Sequence, residues 1–127
     1  MFVDPNALSS VAAFHRLFRA PILASPVIPS ADRCQLRVSL LKEEEVQELA
    51  DAIKDNDLVE VADALADIQY VLSGAVHEFG MGHIFQTLFD EVQRSIDSIP
   101  VGPWVAQWPP LAFVGLVDLE TRVVVFE

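Results

Sequence analysis

Cysteine is nearly absent. The 127 residues hold one, Cys34, so no disulfide can form within the chain and a reducing compartment is the natural setting. Cys34 itself reads as a small buried or half-buried residue. Basic residues are scarce as well: 8 Lys and Arg stand against 19 Asp and Glu, for a formal net charge of -11. A surface this acidic repels phosphate backbones, so nucleic-acid binding is not an expected function. It leaves nucleotide binding open, because a divalent cation can neutralise the point of contact. No run of 18 apolar residues occurs, so no segment is expected to span a membrane. The opening MFVDPNALSS lacks the basic-then-apolar pattern of a secretory leader. The cytoplasm is the expected location.

What is abundant is apolar surface. Hydrophobic residues make up 52% of the chain, enough for one domain with a real core and more than a lone small domain needs to bury. The surplus predicts a partner that covers it. Helical spacing of Leu8, Val11, Ala12, Phe14 and Phe18 predicts a first helix over 6–18. Prolines 21, 26 and 29 then force an extended connection. A long second helix follows from about Ala31 to Lys54, capped at Ser30 or Asp32. The break at KDNDL ends it, and Asp55 or Asp57 can cap a third helix from about Leu58 to Phe79. Gly80 and Gly82 stop that helix, and a fourth runs over about 83–97.

Beyond Pro100 the character changes. IPVGPWVAQWPP is a loop with two tryptophans, and LAFVGLVDLETRVVVFE reads as two short β segments turning near Glu120. The expected organisation is an all-α bundle of about four helices over 1–99, with an appended tail over 100–127. The third helix is apolar nearly all round, as a core helix is. A bundle with such a face is expected to complete its four-helix core with a second copy, as a homodimer or a dimer of dimers.

The acids carry the functional signal. The second helix presents Glu44, Glu45 and Glu48 in LLKEEEVQEL, at spacings of three and four that crowd one face. The third presents Glu60, Asp63 and Asp67 in EVADALAD, again on one face. Folding the two helices into an antiparallel hairpin about Asp55–Asn56 sets Glu48 opposite Asp63 and Glu44 opposite Asp67. Taken alone, KEEEVQE is explained by a solvated surface. Two stripes in matching register, one of them on a core helix, are not. Two unit charges about 4 Å apart repel by about 4 kcal/mol at an effective dielectric near 20, and neither Lys42 nor Lys54 lies on the stripe. A divalent cation is the simplest compensation. Hard oxygen donors without Cys or His select Mg²⁺ or Mn²⁺ over Zn²⁺. The Glu-x-x-His pairs of di-iron bundles and the EF-hand loop are both missing.

At these residues the sequence resembles the all-α nucleotide pyrophosphohydrolases of the MazG-like superfamily, which includes dimeric dUTPases and phosphoribosyl-ATP pyrophosphohydrolase. The likeness rests on Glu-x-x-Glu followed by Glu-x-x-Asp, here EVQE (Glu45, Glu48) and EVAD (Glu60, Asp63), and on EVADALADIQYVLSGAVHEFGMG and FHRLF with its prolines. It spans roughly residues 10–95. The resemblance implies Glu44, Glu45, Glu48, Glu60 and Asp63 as metal ligands and Asp67 as a support behind them. It implies hydrolysis between the α- and β-phosphates of a nucleoside triphosphate, giving a monophosphate and pyrophosphate, with Glu45 or Glu48 accepting the proton of the attacking water. A house-cleaning role on non-standard or deoxy nucleotides follows from the resemblance alone, with phosphoribosyl-ATP as the alternative substrate. Relatives of this subgroup continue after FDEVQRS with an asparagine and, three residues on, a lysine that meets the nucleotide. This chain has Ile96 and Ile99 there. Arg94 remains as a candidate phosphate contact, and a catalytically weakened nucleotide- or metal-binding module is the rival expectation.

The other chemistry-bearing residues have plainer readings. His15, His77 and His83 are scattered, and the spacing of HEFGMGH does not suit one helix face, so structural roles are expected. Trp104 and Trp108 pack the tail, and Asp90 supports the fourth helix.

Overall fold

The computed structural model describes residues 1–98, 115–118 and 123–126. The chain forms two compact units, Met1–His83 and Ile84–Glu127. The fold is all-α. Four helices lie among the described residues: α1 (Ala7–Phe18), α2 (31–54), α3 (Leu58–Glu78) and α4 (Phe85–Asp97). No helix among these residues is long and apolar enough to cross a membrane. In the second unit, Gly115–Asp118 and Val123–Phe126 pair antiparallel, Gly115 opposite Phe126. The turn expected near Glu120 and the loop with Trp104 and Trp108 lie outside the described residues.

Helix boundaries follow local chemistry. The chain reverses at the break through Asn56, whose φ of 55° is the left-handed conformation that asparagine tolerates. Asp57 then caps α3, its carboxylate accepting from the amides of Val59 and Glu60, both at 3.1 Å. At the other end of α3, Gly80 has φ of 70°. A side chain there would also drive a Cβ to within 1.9 Å of the Ser25 carbonyl oxygen, so only glycine fits.

α2 is one continuous helix with a fault in it. Ala31–Ser39 and Gln47–Lys54 are α-helical, and the seven residues Leu40–Val46 between them form a π-helical turn. Every junction residue keeps right-handed helical torsions, so the axis continues while the register shifts.

α1 and α2 both pack on α3. The proline-rich connection after α1 crosses the C-terminal end of α3 and hydrogen-bonds its last carbonyls: the Leu23 amide donates to His77 at 3.0 Å, a carbonyl that also accepts from Gly80 at 3.1 Å, and the Val27 amide donates to Phe79 at 3.0 Å. Around this end the core is polar. His15, Arg37, Ser73, His77 and Glu78 are buried beside Val11, Ala12 and Val76. Arg33 Nη2 and Nε donate to the two Glu78 oxygens at 2.6 and 3.0 Å, and Arg37 Nε donates to Glu78 at 3.0 Å. Burial pushes the Glu78 carboxyl up, but these hydrogen bonds outweigh it and hold it below the usual carboxylate range. Gly74 makes the approach possible, since a Cβ there would lie 2.8 Å from Arg37 Nη1 and 3.1 Å from His15 Nε2.

The first half of α3 is different. Leu58, Val59 and Leu65, read from the sequence as core, are 80%, 77% and 53% exposed. Leu58 and Leu65 lie across the helix from the acids and Val59 beside them, and all three are left uncovered by the single chain. α4 is strongly two-sided, with Phe85, Leu88, Val92 and Ile96 half-buried and its polar side tied by Gln86 to Asp90 and Gln93 to Asp97, each at 2.9 Å.

Candidate metal centre

The two acidic stripes meet. Carboxylate oxygens of Glu45, Glu48 and Asp67 all lie within 4.8 Å of one another. They adjoin an open cleft of about 500 Å³ lined by Glu48, Asp51, Asp55, Asp57, Glu60, Asp63 and Asp67, with Ala52 and Ala64 as its floor. Burial of those two alanines brings the backbones of α2 and α3 close and leaves space above them for the acids.

The members are not equivalent. Glu48 is exposed and lines the cleft, whereas Glu45 is half-buried behind it, and its Oε2 is buried with no hydrogen-bond partner. An unpartnered buried oxygen is costly. Burial pushes the Glu45 carboxyl above its ordinary range, and the charges of Asp67, Glu48, Glu44 and Asp63 push it further in the same direction. No Lys or Arg pairs with Glu45, Glu48 or Asp67 among the described residues. A hard cation fits this donor set: it would engage the orphaned oxygen and cancel the repulsion. Glu60 and Asp63 are exposed on the cleft wall, within the same concavity.

Glu44 is placed apart. Regular helical spacing sets it level with Glu48 and pointing at Asp67, but it is exposed and its neighbour Glu45 faces Asp67 instead. The π turn is the cause. Each residue of a π turn advances by roughly 80°, against about 100° in an α-helix, so the seven residues of Leu40–Val46 hold back roughly one residue's rotation. The inward line then runs Arg33, Arg37, Leu41, Glu45, Leu49 and Ala52, all buried or half-buried. The steady spacing of four from Arg33 to Leu49 is the signal, present in the sequence, from which the turn could have been read.

The remaining candidates have partners of their own. Arg94, on α4, forms a two-pronged pair with Glu91 at 2.6 and 2.9 Å. Ile96 is half-buried on the same helix, and Ile99 is outside the described residues. His15 is 3% exposed and its Nδ1 bonds the Pro21 carbonyl at 2.8 Å, while His77 Nε2 bonds the Leu8 carbonyl at 2.7 Å. Both histidines are structural. Cys34 donates to the Pro29 carbonyl. The Arg33–Arg37–Glu78 cluster carries no local sequence signal, because its partners are 41 and 45 residues apart.

The family model of phosphoribosyl-ATP pyrophosphohydrolase matches residues 11–96, a span holding α2, α3 and every acid of the cleft. The chain belongs to this family. It is therefore a member of the MazG-like all-α superfamily and a pyrophosphohydrolase acting on phosphoric anhydride bonds. The family is divalent-metal dependent, and a nucleotide substrate is consistent with it. No curated protein matches the chain.

Proposed function

We propose that this pyrophosphohydrolase cleaves the α–β anhydride of a nucleoside triphosphate group, releasing pyrophosphate, with Mg²⁺ or Mn²⁺ held between α2 and α3. Phosphoribosyl-ATP, the substrate in the family's name, is the first candidate; house-cleaning of non-standard or deoxy triphosphates is the second. The observation that carries the reading is the convergence of Glu45, Glu48 and Asp67 with no Lys or Arg paired to them among the described residues. Glu45, Glu48 and Asp67 would hold the cation, with Glu60 and Asp63 reaching it from the cleft wall. When bound, a divalent ion neutralises phosphate oxygens and lowers the pKa of a coordinated water. Without that charge an acidic cleft would repel the triphosphate.

The protein's own contribution is placement. Glu48 faces the open cleft and is assigned the proton of the attacking water, whereas Glu45 sits behind it and orients. The uncovered Leu58, Val59 and Leu65 favour a second copy packing on α3, as a homodimer or a dimer of dimers, working in the cytoplasm. A pyrophosphate-release assay over phosphoribosyl-ATP and a panel of triphosphates, with Mg²⁺ or Mn²⁺, tests the proposal beside Glu48→Ala. Equal rates for the two proteins on every substrate would refute it.

A second reading has one observation in its favour: apolar Ile96 stands where relatives of the subgroup place a polar nucleotide contact. A chain that binds a Mg²⁺–triphosphate complex in calorimetry but releases no pyrophosphate is a binding module.

A further inference from the structure

The π turn at Leu40–Val46 is the one irregularity inside a helix among the first three, and it lies directly between the two charged groups that α2 must deliver. Upstream, Arg33 and Arg37 have to reach Glu78 at the far end of α3. Downstream, the acids have to reach Asp67, eleven positions earlier on the same helix. A regular α-helix that points Arg37 at α3 brings Glu44 and Glu48 round to α3 as well, because seven and eleven residues are close to two and three whole turns. It would leave Glu45 and Leu49 well to one side. The observed burial is the other pattern: Leu41, Glu45 and Leu49 inward, Glu44 and Glu48 outward or at the edge.

We infer that the π turn is a register device that hands the inward acidic position from Glu44 to Glu45 while the arginine anchor stays fixed. It acts as one extra residue wound into an α-helix. Removing one of its exposed members, Lys42, therefore leaves an ordinary helix in which Arg37, Leu41, Glu45, Leu49 and Ala52 still share a face. The turn's surplus residue thus separates two jobs on one rod, holding the helix pair together and setting the donor that sits deepest in the cleft. What this means for cation binding rests on the function proposed above; the register itself does not.

The test uses the full chain and two readouts, the thermal midpoint in chelator and Mn²⁺ affinity by electron paramagnetic resonance. In chelator Glu45→Gln is expected to raise the midpoint by roughly 2–5 °C, because it removes a buried charge beside Asp67 and Glu48. Glu44→Gln, at an exposed position, is expected to move it by less than half as much. Mn²⁺ binding is expected to weaken roughly tenfold or more in Glu45→Gln and at least about threefold less in Glu44→Gln. Deletion of Lys42 is expected to keep the wild-type Mn²⁺ affinity within about threefold and to raise the midpoint.

The opposite ranking of the two glutamines overturns the inference, and so does a folded Lys42 deletion that has lost Mn²⁺. If the deletion does not fold, the glutamine pair decides. If the wild type binds no Mn²⁺ but the midpoints rank as expected, the register stands and the metal reading fails.

Discussion

One helix, α3, takes part in two kinds of carboxylate chemistry, and its C-terminal end and its middle treat negative charge in opposite ways. Near its C-terminus Glu78 is 1% exposed, yet it is matched by Arg33 and Arg37 and fully bonded. Near its middle Asp67 meets Glu45 and Glu48, where no Lys or Arg of the described residues pairs with them and one oxygen is left without a partner. Charge balanced from within fixes a helix pair. Charge left unbalanced awaits something from outside, and the family of divalent-metal pyrophosphohydrolases supplies the reason.

That contrast can be broken most forcefully at Glu48. Replacing it with alanine should lower pyrophosphate release by about a hundredfold or more, since the cleft carboxylate proposed to hold the cation is lost, while urea denaturation in chelator shows no loss of stability. A destabilised Glu48→Ala protein would mean that the acids serve the fold. At the other end, Glu78→Ala should cost about 3–5 kcal/mol in the same denaturation, because it strands the buried Arg37 guanidinium; the more exposed Arg33 adds little. Next in size is the cation itself. Mg²⁺ at a hundred times its dissociation constant should stabilise the folded chain by about 2.7 kcal/mol, and chelator should reverse this.

The smallest expected effects are in pH. Burial pulls the His15 imidazole below its ordinary pKa; the bond to Pro21 opposes this, Arg37 and His77 add to it, and Glu78 opposes it. The folded state thus favours neutral His15, so its contribution is intact above about pH 6.5 and fades as pH falls towards the lowered folded value. Glu45 runs the other way in chelator. Its raised pKa makes the folded state gain stability as pH falls through that value towards the ordinary glutamate range. Denaturation of His15→Gln and Glu45→Gln across pH 4–8 separates the two slopes, and parallel profiles for both variants and the wild type would show that neither environment is as described.

Much of this was legible in the residues. Asp57 as a cap, Gly80 as a stop and the proline-rich connection are each dictated by one side chain acting on its own backbone, and such signals survive without tertiary context. The convergence of two acidic stripes followed from helix periodicity and one turn. The choice between Glu44 and Glu45 did not, because it depends on a π turn that ordinary periodicity assumes away. The pairing of Glu78 with Arg33 and Arg37 was invisible for another reason: nothing local links residues more than forty positions apart. The uncovered Leu58, Val59 and Leu65 mark the limit of reading a core from hydrophobicity, which says that a face must be buried and not by what.

One consequence remains in the strap of residues 21–29. The amides of Leu23 and Val27 are spent on the carbonyls of His77 and Phe79, and the Pro21 carbonyl is spent on the His15 ring. In heavy water those two amides can exchange only when the end of α3 lets go. Their exchange rate is a clock for the opening of the ion-paired core, readable in the intact enzyme while the acidic cleft is at work.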